Sequence, residues 1–386
     1  MKYLFFIIAL LLFFSANFYV FYRAWNSMPP NQIARIVLIA LAVIVNLSLI
    51  LTFVVGEYLP VGMTSVLYKI GTSWIFILIY FIIFNLVKDL ISLLVHLTSF
   101  IPNDAVSRYT KENWLGFGFM VGFIGLLMFC GYLKYRWKVR VEQPVFIEKT
   151  IKKSGTVADS LFVSDSLRIV AISDLHLGYN ISEKEFLGWI DLINEEKPDL
   201  VMIAGDIIDN SARPLNAGKY AQYFKKIQST YGIYACLGNH EYISGINESL
   251  AFYEKAGIHL LRDSAVEIDS CFYIIGRDDK TNLKRKPLSG LMQGIDKSKP
   301  IILLDHQPYN LEEAEQNGVD LQFSGHTHRG QVWPISLITD AIYEDSYGFL
   351  QKGNTNVYVS SGIGLWGGKF RIGTQSEYIV IDIKKK

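Results

Sequence analysis

The stretch Ile169-Val170-Ala171-Ile172-Ser173-Asp174-Leu175-His176 runs from an apolar segment into a carboxylate and an imidazole, and Val201-Met202-Ile203-Ala204-Gly205-Asp206-Ile207-Ile208-Asp209 repeats the pattern. The same transition recurs where Tyr234–Gly238 meets Asn239-His240-Glu241, where Ile301–Asp305 meets His306, and where Phe323–Gly325 meets His326-Thr327-His328. Short apolar runs that end in Gly, Asp or Asn read as buried strands. Strands are expected at Arg168–Ser173, Leu200–Ala204, Ile233–Leu237, Phe272–Ile275, Ile301–Leu304, Leu321–Phe323, Val357–Ser360 and Tyr378–Ile383. Helical patterns lie between them at Ser182–Glu196, Pro214–Ser229, Asn247–Ala256 and Leu311–Gln316. Ser182 followed by Glu185 has capping-box spacing. Alternating strands and helices define an α/β domain, and polar groups at the carboxyl ends of strands occupy the usual ligand position of such sheets. Five coincidences of this kind point to one shared site.

The chemistry of that site follows from its residue types. Asp, His and Asn without a thiolate form an oxygen and nitrogen donor set suited to hard-to-borderline divalent ions. Each motif alone is weak: Asp174-x-His176 reads equally as a capping Asp beside a solvated His, and His326-x-His328 as an ordinary polar turn. Gly205 is more informative, because a glycine after a buried strand permits a tight turn beside an ion. All five together favour a two-metal hydrolase.

The order DxH, GDxxD, GNHE, H, GHTH resembles the calcineurin-like metallophosphoesterase superfamily from about Leu167 to the C-terminus. Ser360-Ser361-Gly362-Ile363-Gly364-Leu365-Trp366 and Phe370-Arg371-Ile372-Gly373 resemble its membrane-associated bacterial branch. The resemblance implies an αββα sandwich and two divalent ions, Mn, Fe or Zn. The first would be held by Asp174, His176, Asp206 and His328, the second by Asp206, Asn239, His306 and His326. Asp206 would bridge ions ~3.5–4 Å apart, and a bridging hydroxide would attack phosphorus. His240 is then the group that stabilises a phosphoryl oxygen or protonates the leaving alkoxide. Asp209 and Glu241 become acceptors that orient histidines. Arg329 either contacts a substrate phosphate or projects into solvent. The basic run Arg277–Lys286 reads as a solvated loop, with anionic headgroups or a phosphorylated substrate as the other use of its charges.

The N-terminal region has a different character. Of the 386 residues 51% are hydrophobic, and the excess lies at the front. Tyr3–Tyr22, Ile33–Val55, Thr72–Thr98 and Trp114–Leu133 each approach the ~20 residues of a membrane-spanning helix. Aromatic residues near their ends, including Trp25, Trp74 and Trp137, support spans over a buried core. Residues 1–138 therefore read as a membrane domain, 139–166 as a connector and 167–386 as the catalytic domain. The architecture expected is α/β, an αββα sandwich preceded by four transmembrane helices.

Four spans put both termini on one side. Lys2, Lys69, Lys134, Arg136, Lys138 and Arg140 on that side outweigh Arg23, Arg35, Arg108 and Lys111, so the domain is expected to face the cytoplasm of a bacterial cell membrane. Lys88, Asp89 and His96 in the third span read as a pair with a neighbouring helix or, less simply, as a polar path. Three cysteines in apolar runs indicate no disulfide framework, and a net charge of +1 gives no sign of a nucleic-acid partner.

The activity expected is metal-dependent hydrolysis of a phosphodiester or pyrophosphate, with a lipid-linked phosphate favoured because tethering raises local concentration. The alternatives are a hydrolase of soluble nucleotides whose helices only anchor it, and a membrane sensor or scaffold with a structural metal centre. Oligomeric state stays open at this level.

Overall fold

The computed structural model describes residues 2–98, 113–151, 155–157, 160–162 and 166–386, with side chains for 7–98, 113–151 and 166–386. Arg108, Lys111 and the side chain of Lys2 lie outside the described residues. Two compact units emerge: Met1–Leu133 with Gly367–Phe370, and Lys134–Trp366 with Arg371–Lys386.

In the first unit the helices Lys2–Ser27, Gln32–Val55, Val61–Thr98 and Trp114–Arg136 are long and apolar enough to cross a membrane. Pro29, Pro30 and Pro60 stand in the breaks, where a ring without an N–H cannot continue the helix. Asn31 caps the second helix by accepting from the Ala34 amide at 3.1 Å. The third helix starts at Val61, not Thr72, so Lys69 lies inside it and not in a loop.

Polar groups in this unit find partners across helices, as an apolar surrounding demands. Asn17 accepts from Trp74 Nε1 at 2.8 Å and from Asn46 at 3.3 Å. Asp89 pairs with Arg23 of the first helix at 2.6 Å and accepts the Tyr19 hydroxyl at 3.0 Å. Asp89 is thus a cross-helix pair, the simpler of the two expectations.

The second unit contains two six-stranded sheets. One has the order β1 (Lys138–Ile147), β14 (Ser376–Lys385), β4 (Ser166–Ile172), β5 (Leu200–Ala204), β6 (Ile233–Cys236), β7 (His259–Leu260). The other has the order β12 (Gly348–Lys352), β13 (Thr355–Val359), β11 (Leu321–Ser324), β10 (Ile301–Leu304), β9 (Phe272–Gly276), β8 (Ser264–Ile268). A separate hairpin joins β2 (Gly155–Val157) and β3 (Ser160–Phe162).

Strand alternation builds the layers. Ile169, Ala171, Met202, Ala204 and Cys236 point inward to meet Ile274, Ile302, Leu304, Phe323 and Tyr358 of the other sheet. Their neighbours Val170, Ile172, Val201, Ile203 and Ala235 point outward onto helices. There the helix Glu183–Glu195 buries Phe186, Trp189, Ile190 and Ile193, an i, i+3, i+4, i+7 stripe. Leu288, Leu291 and Ala314 cover Ile301 and Leu303 on the far side. The result is the four-layer αββα sandwich.

Local expectations hold in part. Ser182 Oγ accepts from the Glu185 amide at 3.3 Å, but the Glu185 carboxylate takes the Tyr135 hydroxyl. The single helix expected over Pro214–Ser229 is two short ones, Arg213–Ala217 and Tyr220–Phe224. Gly218 between them has extended backbone and lies against Glu183, so no continuous helix can form. Part of the expected connector is strand β1, which pairs in parallel with β14 from Lys138↔Ser376 to Ile147↔Lys385. Its charged residues hid it: Arg140 pairs with Glu196 at 2.7 Å, an interaction visible only after folding.

Candidate metal centre

The sheet strands deliver the motif residues to one place. Asp174 and His176 follow β4, Asp206 follows β5, Asn239 follows β6, His306 follows β10, and His326 and His328 follow β11. Asp174, His176, Asp206, His326 and His328 all have φ between 46° and 72°. Left-handed backbone at non-glycine residues costs of order 1–3 kcal/mol each, and such conformations cluster at functional sites.

Close approach of the loops explains the neighbouring glycines. Gly205 has φ 72°, and a Cβ there would sit 2.7 Å from Gly238 N and 2.8 Å from His306 Nδ1. A Cβ at Gly325 would sit 2.3 Å from Asp174 Oδ2. The His326 amide instead donates to the Asp174 carboxylate at 3.0 Å, which ties the first motif to the last.

The donor atoms fall into two groups that share Asp206 Oδ2. In one, His176 Nε2 lies 3.7 Å from Asp206 Oδ2, 3.9 Å from Asp174 Oδ1 and 3.0 Å from His328 Nε2. His328 Nε2 is 3.5 Å from Asp174 Oδ1. In the other, His306 Nε2 is 3.2 Å from both Asp206 Oδ2 and Asn239 Oδ1, and His326 Nδ1 is 2.8 Å from Asn239 Oδ1. Metal bonds of ~2.0–2.2 Å at tetrahedral or octahedral angles separate adjacent donors by roughly 3.0–3.5 Å. Donor type and spacing therefore fit divalent ions.

Protonation agrees with that fit for His326 and His328, whereas at His176 and His306 burial is outweighed by carboxylates that raise both rings. Burial and the neighbouring His306 push His326 down to about 4. Burial and His176 hold His328 well below the ordinary imidazole value. Both rings therefore offer a lone pair at neutral pH. Burial pushes the Asp206 carboxyl up, but His306, His240 and His176 outweigh it and hold the group well below the usual carboxylate range. His306 is driven down by burial and raised further by Asp206, to well above its ordinary value. His306 Nδ1 lies 2.7 Å from the Ala204 carbonyl, so donation there directs Nε2 at the cluster.

The supporting residues divide by what they touch. Asp209 Oδ1 lies 3.4 Å from His176 Nδ1, and the Asp209 carbonyl lies 2.8 Å from His240 Nδ1. The buried Glu241 carboxylate accepts from the amides of Gly238 at 2.7 Å, Ile208 at 3.0 Å and Asp206 at 3.1 Å. Glu241 therefore ties the loop after β5 to the loop after β6. The Arg329 guanidinium lies 4.7 Å from the Tyr347 ring centroid.

Two groups of cations stand differently from their sequence expectation. Arg277 and Arg285 are not in a solvated loop. They pair with the buried Asp305 at 3.0 and 3.1 Å, beside His306. Their spacing carries no signal for this, because both arginines follow β9 and Asp305 follows β10. Arg371, noted only as part of a resemblance, is fully buried. It reaches the carbonyls of His328 at 3.0 Å, Ser361 and Gly364 at 2.7 Å and Gly362 at 3.1 Å. Burial pulls it down to about 10, still protonated at neutral pH.

A two-sheet sandwich with Asp, Asn and His donors converging at its strand ends defines the class as a metal-dependent hydrolase fold. A family model for calcineurin-like phosphoesterases matches residues 167–330. A metallophosphoesterase of Aquifex aeolicus is 33% identical over 227 residues, 57% of this chain and 86% of its own. One of Campylobacter jejuni is 34% identical over 226 residues, 57% of this chain and 60% of its own. A transmembrane protein with metallophosphoesterase domain from Danio rerio is 30% identical over 237 residues, 57% of this chain and 54% of its own. The chain belongs to the calcineurin-like phosphoesterase family, and its four apolar helices make it a membrane protein.

Arg371 gives a test of how the His328 loop is held. Arg371→Lys keeps a cation but cannot reach four carbonyls, so stability should fall by about 1–3 kcal/mol. Denaturant unfolding of the detergent-solubilised protein measures the loss, and an unchanged midpoint would contradict it.

Proposed function

We propose that the second unit hydrolyses a phosphodiester or pyrophosphate with two divalent ions, Mn, Fe or Zn. One observation carries the reading: Asp206 Oδ2 lies within 3.7 Å of donors from both groups. Asp174, His176, Asp206 and His328 would hold one ion, and Asp206, Asn239, His306 and His326 the other. When bound, such a pair polarises phosphoryl oxygens and acidifies water towards neutral pH.

The remaining steps fall to side chains. His240 Nδ1 is fixed on the Asp209 carbonyl, which leaves Nε2 to give a proton to the leaving alkoxide. The His240 ring stands edge-on to His176 with centroids 4.5 Å apart, so it borders the donor cluster. Arg329 rests on Tyr347 at the loop following His328, from which its guanidinium can turn to a substrate phosphate. A lipid-linked phosphate is the favoured substrate class, supported by the four spans that hold the unit at a bilayer. The domain is assigned to the cytoplasmic face, supported by Lys134 and Arg136 in the last turn of the fourth span and Lys138 and Arg140 just beyond it. Arg140 contributes least to that bias, since Glu196 neutralises it.

Three measurements test these assignments. Asp206→Asn should lower the content of both metals, by elemental analysis of purified protein, and remove nearly all turnover. Retention of two tightly held ions with near-native kcat would sink the bridging role. His240→Ala should keep its metals yet lower kcat by about 10²–10⁴. That loss should shrink for nitrophenolate leaving groups, and equal losses for both kinds of leaving group would exclude proton donation. A reporter fused after Lys386 should be active only in a cytoplasmic assay, whereas protease attack on the unit from outside intact spheroplasts would reverse the topology.

A further inference from the structure

The helix Ile335–Ile342 has its amphipathicity turned outward. At 3.6 residues per turn Leu337, Ala341, Ile338, Ile342 and Ile335 form one contiguous arc, and Ser336, Thr339 and Asp340 form the other. An ordinary surface helix buries the apolar arc. Here no residue of the helix is buried, and Leu337, Ile338 and Ile342 are 60%, 59% and 58% exposed. Trp333, just ahead of the helix, is 49% exposed.

The polar arc meets the rest of the fold through Asp340. Thr339 Oγ1 donates to the Ser336 carbonyl at 2.9 Å, and Asp340 accepts the hydroxyl of the buried Ser346. The Ser336 backbone abuts Gly330, where a Cβ would come within 2.4 Å of its nitrogen. Asp340 and the backbone at Ile335 and Ser336 thus tie the helix to the fold, while among the described residues nothing buries Leu337, Ile338 or Ile342.

We propose that this apolar face inserts into the lipid leaflet, as a second membrane contact distinct from the spans. The chain itself supplies the occupant. The fourth apolar helix ends at Arg136 and β1 begins at Lys138, so the chain passes directly from an apolar span into the second unit. Interfacial helices bury an apolar arc roughly 5–10 Å into the headgroup and acyl boundary, and tryptophan favours that depth. Asp340 and Glu344 lie on or next to the helix, so insertion is driven by apolar area and does not need anionic lipid. The surface stands without the catalytic reading. Joined to that reading, it deepens it: Tyr343, which follows the helix, has its ring 6.2 Å from that of His326, and a lipid-linked phosphate would enter beside the donor cluster.

The test uses full-length protein in phosphatidylcholine proteoliposomes. Cys130→Ser removes the exposed thiol, Cys236 and Cys271 being buried. An environment-sensitive fluorophore is placed on Ile338→Cys or, as control, on Lys255→Cys, an exposed position on the helix Ile246–Ala256. The label at 338 should be quenched by doxyl-labelled lipid and protected from aqueous iodide, with the label at 255 showing the reverse. Adding Leu337→Asp and Ile342→Asp should abolish the lipid quenching at 338. Iodide quenching at 338 equal to that at 255 would overturn the proposal. So would iodide protection without lipid quenching, which would assign the face to a protein surface such as a second copy. Neither readout depends on turnover, so failure here and failure of the hydrolase reading are separable.

Discussion

The carboxylate of Asp206 is the constraint on which the centre depends. Its Oδ1 accepts from the His240 amide at 2.8 Å, which leaves Oδ2 between His176 and His306. That position requires a left-handed residue, a glycine before it and a partner for its own amide. Glu241 supplies the last by gathering the amides of Gly238, Asp206 and Ile208. A carboxylate with several amide donors is worth more than the sum of weak surface contacts, because its alternative is an unsolvated charge.

The strain in the donor loops is offset by rigid surroundings. Two sheets with interleaved apolar faces fix the strand ends, and the loops inherit that precision. The C-terminal segment closes the arrangement from the far side. Arg371 holds the His328 carbonyl together with those of Ser361, Gly362 and Gly364, while buried Glu377 accepts from the Ser361 amide at 3.1 Å and the Tyr347 hydroxyl at 2.9 Å. Tyr347 in turn supports Arg329, so a structural network extends to the residue assigned to substrate phosphate.

In the first unit the same rule of satisfied polar groups operates in an apolar setting. Arg23 and Asp89 would each be costly alone at such positions, and pairing makes both tolerable. Arg23 is therefore a helix-packing residue more than a topological marker.

The sequence by itself determined the strand-end motifs, the α/β class, the four spans and the donor types, because each depends on local periodicity or on a residue's own chemistry. Leu200–Ala204 and Ile301–Leu304 were legible to the residue, since buried central strands have continuous apolar runs. Edge strand β1 was not, because its partly exposed pattern carries charges whose partners lie far along the chain. The split of Pro214–Ser229 escaped for a related reason: the chain is extended at Gly218 and the Lys219 amide donates to Glu183, a partner far back in the sequence. Arg277 and Arg285 look like surface charges in the sequence, and neither Glu241 nor Arg371 shows there which backbone groups it will gather. Only the tertiary structure turned them inward, because only folding brings together the amides, carboxylates and carbonyls that make a buried charge affordable.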